Sequence, residues 1–406
     1  MKLALAQLNP VIGDLNGNAE RILEVCKELN NKDVDLVITP ELSLIGYPPK
    51  DLLFNPQLYE KEKNILDKLI KRLGNLNQNL SVLIGIAEPT LDLEIPKLYN
   101  SVVFLNKGSW KVVARKQLLP TYDVFDEKRY FRSAETSSFF NFNFQKKLWK
   151  IGITICEDIW VEDNLQNEKI QGKDPIKSLE KEKLDLLINL SASPFIESKS
   201  LLRQRIAAKA AERLSCPVIY VNQVGGNDEL IFDGSSFALN KRGELQYELP
   251  AFKESVGLFD LSSLKKPPSI SSTYPESKEV LFRALVLGVK DYARKCNFNS
   301  AVIGLSGGID SALVAAIAVA ALGHSKVDAI LMPSPWSSPG SVKDATALAN
   351  RLGINHQKIP ISDVMNSFNN VLYNSTWGMP TGITAENLQS RIRGTILMAL
   401  ANQKNH

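Results

Sequence analysis

Three polar residues close apolar runs at positions where a nucleophile, a base and a cation could meet. Glu41 ends DLVITPE, Lys116 ends VVARK and Cys156 ends KIGITIC. Such runs read as strands, and open α/β sheets gather their chemistry at the C-terminal ends of strands. A thiol becomes a useful nucleophile only when a base takes its proton or a cation stabilises the thiolate. Glu41 can accept that proton and later activate water. Lys116, with the backbone N–H of Glu157, can stabilise the oxyanion of a tetrahedral intermediate. Two plainer readings compete: a cysteine after a strand is usually buried packing, and a Glu–Lys pair is usually a weak surface contact.

A second group lies at Ser306–Ser311, where AVIGL runs into SGGIDS and then SALVAAIAVAALG. Glycines let backbone approach a ligand, and a helix N-terminus offers free N–H groups to an anion. This is phosphate-binding chemistry, yet no Lys-Ser/Thr pair closes a Walker A loop. The three histidines (His324, His356, His406) share no motif. The four cysteines (Cys26, Cys156, Cys216, Cys296) show neither zinc nor disulfide spacing. Those other than Cys156 read as core or helix residues.

These residues need a frame to position them. Strands are predicted at 3–8, 36–39, 82–86, 101–105, 112–116, 151–155, 186–190 and 218–221, several of them continuous apolar runs suited to burial on both faces. Helical patterns fill the gaps at 17–29, 56–73 and 198–214, so residues 1–262 are expected to form one α/β domain. LSSLKKPPSISSTYPES changes character, and residues 263–277 read as a linker. A second α/β unit over 278–406 opens with a helix at 279–294 and a strand at 301–305.

Composition limits the alternatives. Hydrophobic residues make up 44% and charged residues 23%, which suits globular domains with sizeable cores. A net charge of +4 from 48 basic and 44 acidic residues argues against a nucleic-acid binder. The N-terminus lacks a long apolar segment, and the longest apolar run, 312–322, is too short to cross a bilayer. A cytoplasmic chain that engages neither nucleic acid nor membrane is expected.

Longer words around the first group carry a family resemblance. ITPELSLIGYPPKDLL, ARKQLLPTYDVFDEKRYF and GITICEDIW resemble the three catalytic blocks of the nitrilase, or carbon–nitrogen hydrolase, superfamily. The resemblance implies an α-β-β-α sandwich with a catalytic triad of Glu41, Lys116 and Cys156, and a second glutamate at Glu127. GYPPKDLL and CEDIW are closest to the glutaminase domains of NAD synthetases, which need no cofactor for that step. There Tyr122 would line the substrate pocket. In NLSASPF and the basic residue after it, Ser193 and Lys199 would hold the amino and carboxylate groups of glutamine. Ser193 could equally bond its own backbone.

SGGIDS resembles the pyrophosphate loop of the N-type ATP pyrophosphatases, with a doubly wound parallel sheet of the adenine-nucleotide α-hydrolase kind. MPSPWSSPGSVKDATALANRLG and AENLQSRIRG are similar to NAD synthetase. By that resemblance Ser306, Gly307, Gly308, Asp310 and Ser311 hold the pyrophosphate, with Asp310 also near Mg²⁺. Ser337, Ser338 and Asp344 lie near the nucleotide. Glu386, Gln389, Arg391 and Arg393 line a deamido-NAD cleft, although Arg391 and Arg393 would otherwise read as a solvated helix face. The implied reaction is ATP-dependent amidation of deamido-NAD by ammonia from glutamine, releasing AMP and pyrophosphate, in a homo-oligomer with an ammonia channel. A GMP or asparagine synthetase is disfavoured, since those resemble other amidotransferase domains.

The family continues through GNKSE-like and YGD-like blocks, whereas this chain ends at LMALANQKNH. The expectation is a partial, poorly ordered synthetase domain, with an uncovered apolar face including Val302, Leu313 and Leu397. Synthetase activity of this chain is then in question. A stand-alone amidase with an inert remnant, and a non-enzymatic nucleotide- or partner-binding role, remain alternatives.

Overall fold

The computed structural model describes residues 1–77, 79–90, 98–160, 172–265, 274–275, 277–373 and 380–404. The chain divides into two compact units, Met1–Ala284 and Leu285–His406. The linker expected over 263–277 lies largely outside the described residues, as does His406.

In the first unit the chain forms β1 (Lys2–Gln7), α1 (Leu15–Leu29), β2 (Leu36–Ile38), α2 (Gln57–Leu76), β3 (Ser81–Pro89), β4 (Leu98–Asn106) and β5 (Ser109–Arg115). Next come β6 (Ser138–Phe144), β7 (Lys147–Ile155), α3 (Pro175–Leu179), β8 (Leu186–Ser191), α4 (Lys199–Leu214) and β9 (Val218–Asn222). The strands β10 (Val224–Asn227), β11 (Leu230–Asp233), β12 (Phe237–Leu239), β13 (Leu245–Glu248) and β14 (Ser255–Asp260) complete it.

Two six-stranded sheets result, ordered β14-β1-β2-β3-β4-β5 and β13-β12-β9-β8-β7-β6. Each holds three parallel central strands, β1-β2-β3 and β9-β8-β7, flanked by antiparallel ones. Side-chain alternation explains the layers. Leu3 and Leu5 of β1 join Ile151, Ile153 and Ile155 of β7 in a core between the sheets. Ala4 and Ala6 face the other way, with Ile22, Leu23 and Cys26 of α1 and Leu66 and Leu69 of α2. On the far side Leu187 of β8 packs with Ile206, Ala207 and Ala210 of α4, and Cys216 lies in the same cluster. This is an α-β-β-α sandwich.

One buried polar group belongs to neither core nor site. Glu62 of α2 is buried, and its carboxylate accepts the Ala87 N–H at 3.3 Å. Burial pushes its carboxyl up to about 8. A raised carboxyl pKa stabilises the fold below its unfolded value and loses that contribution as pH climbs towards the folded value. Between pH 5 and 8 the chain should therefore lose roughly 3 kcal/mol through Glu62 alone. Denaturant melts of Glu62→Gln and wild type at both pH values check this. Equal pH slopes for the two proteins would contradict it.

The second unit contains most of α5 (Ser277–Lys295), then β15 (Ala301–Gly304), α6 (Ile309–Leu322), β16 (Val327–Leu331), α7 (Pro339–Leu352), β17 (Asn355–Lys358), α8 (Ser362–Tyr373) and α9 (Ile383–Lys404). Its three strands are parallel in the order β15-β16-β17. Ala315 and Ala318 of α6 and Ala345 and Ala349 of α7 pack with Ala329 and Leu331 of β16. Of the residues expected on an uncovered face, Leu313 is 51% exposed, while Val302 and Leu397 pack against the buried Ile330, Met332 and Ile392. Cys296 departs from its expected core or helix place: it is exposed, one residue past α5.

Candidate active sites

Glu41 follows β2 on a loop that crosses β3 closely. A Cβ on Gly85 would stand 2.2 Å from the Leu42 backbone nitrogen, so only glycine fits there. Leu42 adopts a φ of 46°, and Leu44 N–H bonds the Gly85 carbonyl, holding the loop over the strand. Lys116 follows β5, which runs in the same direction as β3 because two antiparallel steps separate them. Cys156 follows β7 at a φ of 46°, a left-handed conformation that non-glycine residues seldom adopt. The expected convergence of the three strand ends is present.

The geometry is that of a buried charge cluster. Lys116 Nζ donates to Glu41 Oε1 at 2.7 Å and to Glu127 Oε1 at 2.9 Å, and both carboxylates and the ammonium are buried. Asn100 Nδ2 donates to Glu41 Oε1 at 2.7 Å, and Ala192 N–H donates to Oε2 at 3.0 Å. Tyr47 Oη donates to Glu127 at 2.7 Å. The surface-pair reading of Glu41 and Lys116 is therefore excluded. Burial opposes the charge on Lys116, but Glu127 and Glu41 outweigh it and hold the ammonium well above its usual range. Burial raises the Glu127 carboxyl against the pull of Lys116. Burial, and then the charge of Glu41, push the Cys156 thiol up, while Lys116 favours the thiolate.

Asp158 ties two of the strand ends together. Its carboxylate accepts the N–H groups of Gln117 at 3.0 Å, Leu118 at 2.8 Å and Ile155 at 3.2 Å. The segment after Lys116 and the residue before Cys156 thus share one anchor. Beside it, Glu157 accepts from Tyr122 Oη at 3.0 Å on Oε1, while its buried Oε2 has no hydrogen-bond partner among the described residues. Lys199 lies over the Trp160 ring at 5.4 Å. Burial lowers its pKa, and the nearby Glu157 counteracts this. Ser193 is held through its backbone: its N–H bonds Asn222 Oδ1 at 2.9 Å, and its carbonyl accepts from Arg203 at 3.2 Å.

In the second unit the turn after β15 closes on itself. Ser306 and Ser311 hydroxyls lie 3.0 Å apart, Gly308 N–H donates to Ser306 Oγ at 3.2 Å, and Ser311 Oγ donates to the Gly308 carbonyl at 3.0 Å. Gly307 has a φ of 89°, and a Cβ there would meet the Ser341 carbonyl oxygen at 2.2 Å. Glycine is required at that position. A cavity of 310 Å³ beside the turn is lined by Ser306, Ser337, Ser341, Met332 and Arg393, among others. Arg393 donates to the Met332 carbonyl at 3.1 Å and to Gln389 at 3.4 Å. Arg391 and Glu386 stand exposed on α9, and neither they nor Asp310 and Ser311 line this cavity.

Residues 2–265 match the carbon-nitrogen hydrolase family, and residues 281–406 match NAD synthase. A glutamine-dependent NAD(+) synthetase from Synechocystis sp. is 46% identical over 410 residues, covering all of this chain and 72% of that protein. The chain belongs to the glutamine-dependent NAD(+) synthetases. Another, from Thermotoga maritima, is 36% identical across 99% of this chain and 72% of its own length. The structure of a glutamine-dependent NAD+ synthetase from Acinetobacter baumannii, in complex with ADP, superposes with a TM-score of 0.87 at 36% identity, covering 99% of this chain and 72% of that one. An amidase of the nitrilase superfamily from Nesterenkonia shares the fold over 64% of this chain, at 18% identity and a TM-score of 0.52. In this synthetase, sequence reasoning singled out Glu41, Lys116, Cys156, Glu127, Tyr122, Ser193 and Lys199, and all seven lie in the first unit, in the charge cluster, in the segments around it or, for Lys199, at the start of α4. It missed Asn100, which carries no local signal, and the carboxylates of Glu157 and Asp158, which stand inside the quoted CEDIW block.

Proposed function

We propose that the first unit hydrolyses the side-chain amide of glutamine at Cys156 and that the ammonia amidates deamido-NAD at an ATP site in the second. The observation that supports the first half most strongly is the Glu41–Lys116–Glu127 cluster buried at the strand end that carries Cys156. The Sγ–H proton passes to Glu41 as Sγ bonds the amide carbon, and the carbonyl π pair moves onto oxygen. Lys116 has three N–H groups, two of them on carboxylates. The third, with the backbone N–H of Glu157, stabilises the oxyanion. The C–N bond breaks as Glu41 returns its proton to the leaving nitrogen, releasing ammonia. Glu41 then takes a proton from water, whose oxygen attacks the thioester, and the thiol leaves reprotonated with glutamate as product.

Glutamine is recognised at its far end by complementary charges. The partnerless Oε2 of Glu157, with Tyr122, takes the α-ammonium, while Lys199 and Ser193 take the α-carboxylate. Lys199→Ala should therefore raise KM for glutamine about tenfold and leave kcat within a few-fold, because it removes binding common to ground and transition states. Steady-state glutaminase kinetics decide it, and an unchanged KM removes Lys199 from the pocket.

In the second unit, Ser306, Gly307, Gly308 and Ser311 are assigned to the pyrophosphate, and Ser337, Ser338 and Asp344 to the nucleotide. The cavity beside Ser306 supports this, as does the ADP complex of the A. baumannii relative. Gln389 and Arg393, with Glu386 and Arg391, are assigned to deamido-NAD. Among the described residues no cluster of three or more His, Cys, Asp or Glu could hold a metal alone. Asp310, exposed in the first turn of α6, is assigned to Mg²⁺, which takes one or two carboxylates and completes its shell with phosphate oxygens and water. Bound there, Mg²⁺ would offset the negative charge of the phosphates. Domains at 1–262 and 278–406, joined by a linker, and assembly into homo-oligomers complete the proposal. No helix among the described residues is long and apolar enough to cross a membrane. The four free cysteines support a cytoplasmic enzyme.

Amide-labelled [¹⁵N]glutamine supplied with ATP, Mg²⁺ and deamido-NAD tests the whole reading. The label should appear in the carboxamide of NAD. Label confined to free ammonium, with no NAD even from added ammonium, would leave a stand-alone amidase.

A further inference from the structure

Beside the nucleophile stand two hydroxyls that the proposed reaction does not use. In the parallel pairing of β7 with β8, Ile155 lies opposite Leu190, so the next residues along each strand, Cys156 and Ser191, come side by side. On the other flank, β9 sets Tyr220 opposite Asn189, which shares a face with Ser191. Ser191 and Tyr220 are both fully buried, and their hydroxyl oxygens lie 2.8 Å apart. The Tyr220 ring is stacked on Phe237 at 4.9 Å and 6°, which fixes where its hydroxyl ends. The β7–β8 register sets the Ser191 hydroxyl beside Cys156, where it favours the thiolate. A serine hydroxyl has one proton. If that proton points at sulfur, the hydrogen between the two oxygens must come from tyrosine.

We propose that Tyr220 and Ser191 form a hydroxyl relay that stabilises the Cys156 thiolate, with Tyr220 Oη–H donating to Ser191 Oγ and Ser191 Oγ–H donating to Sγ. This rests on Cys156 being the nucleophile. The surroundings show why such a donor is needed. Burial and the charges of Glu41 and Glu157 oppose a negative sulfur, and Lys116 favours it but is already shared between two carboxylates. The remaining titratable groups near the sulfur are Tyr47, Tyr122 and Lys199. A neutral hydroxyl steadies the thiolate without adding a second cation that would hold the Glu41 proton away. It also leaves the third N–H of Lys116 to the oxyanion. In this relay Ser191 acts directly on the reacting sulfur and is a catalytic residue, whereas Tyr220 acts through it and is a positioning residue.

The test measures the thiol itself. Carbamidomethylation of Cys156 by iodoacetamide is followed by peptide mass spectrometry across pH in the full chain, independently of glutamine turnover. A hydrogen bond to a charged group is strong enough that Ser191→Ala should lower the alkylation rate at neutral pH about tenfold. Its pH midpoint should move upward, and kcat should fall by a similar factor with KM within about twofold. Tyr220→Phe keeps the stack on Phe237 and should shift the midpoint the same way by less. Added to Ser191→Ala, it should do nothing more. An unmoved midpoint in Ser191→Ala, or a full Tyr220→Phe effect in the absence of the serine hydroxyl, overturns the relay. If instead Cys156→Ala retains glutaminase activity, the nucleophile assignment has failed and not the relay alone.

Discussion

Cys156→Ala is expected to eliminate glutamine hydrolysis, a loss on the order of 10⁵–10⁶ in kcat. No other described cysteine stands near the Glu41–Lys116 pair: Cys26 lies on the buried face of α1, Cys216 in the cluster of α4, and Cys296 on the surface. Alanine variants of those three should keep turnover within a few-fold. Alanine at 156 inherits the same φ of 46° and thus the same backbone cost, so melting should move little. A glutaminase assay with a detection floor below 10⁻⁴ of wild type suffices. Activity within a few-fold of wild type in Cys156→Ala would remove the thiol from the mechanism. Synthesis driven by added ammonium bypasses this step and should survive the substitution.

The convergence of Glu41, Lys116 and Cys156 was legible because polar residues at strand ends follow recognisable apolar runs, and because the words around them are long. Its energetic character was not. Nothing in VVARK says that Lys116 is buried between two carboxylates, since Glu41 comes from 75 residues away and Glu127 from a turn 11 residues on. Asn100 sits inside β4 and reaches Glu41 only through sheet order, which pairs β4 with both β3 and β5. The short flanking strands were also missed. β14 pairs with β1 across 250 residues of sequence, and its register, Leu3 opposite Phe259, is set by burial and not by any turn signal. SFFNFNF alternates as a strand should and forms β6 at the edge of its sheet, where side-chain preference is weakest. In the second unit the glycine turn was legible from SGGIDS. The sorting of α9 was not: Arg393 turns into the cavity while Arg391 stays exposed, and only the helix's packing on β15 decides which.

Lys116→Met should show that one residue serves both chemistry and stability, and that the two can be separated. Losing an oxyanion donor costs on the order of 10²–10³ in rate. Breaking a buried ion pair from one side leaves uncompensated charge and costs about 3–5 kcal/mol. Here the orphaned groups are two carboxylates, so the sign of the pH dependence follows. Without the ammonium, Glu127, already raised by burial, is pushed higher still. A raised carboxyl pKa stabilises at low pH and loses that contribution as pH rises. The stability deficit of Lys116→Met against wild type should therefore widen from pH 5 to pH 8. Adding Glu127→Gln removes one orphaned charge and should recover part of the stability at pH 8, while glutaminase activity stays lost. Urea melts of the three proteins at both pH values, read beside kcat, make the comparison. A Lys116→Met protein as stable as wild type at pH 8 would mean the lysine does not neutralise a buried pair. Activity restored by Glu127→Gln would mean the charge balance alone, and not a donor to the oxyanion, is what the lysine supplies.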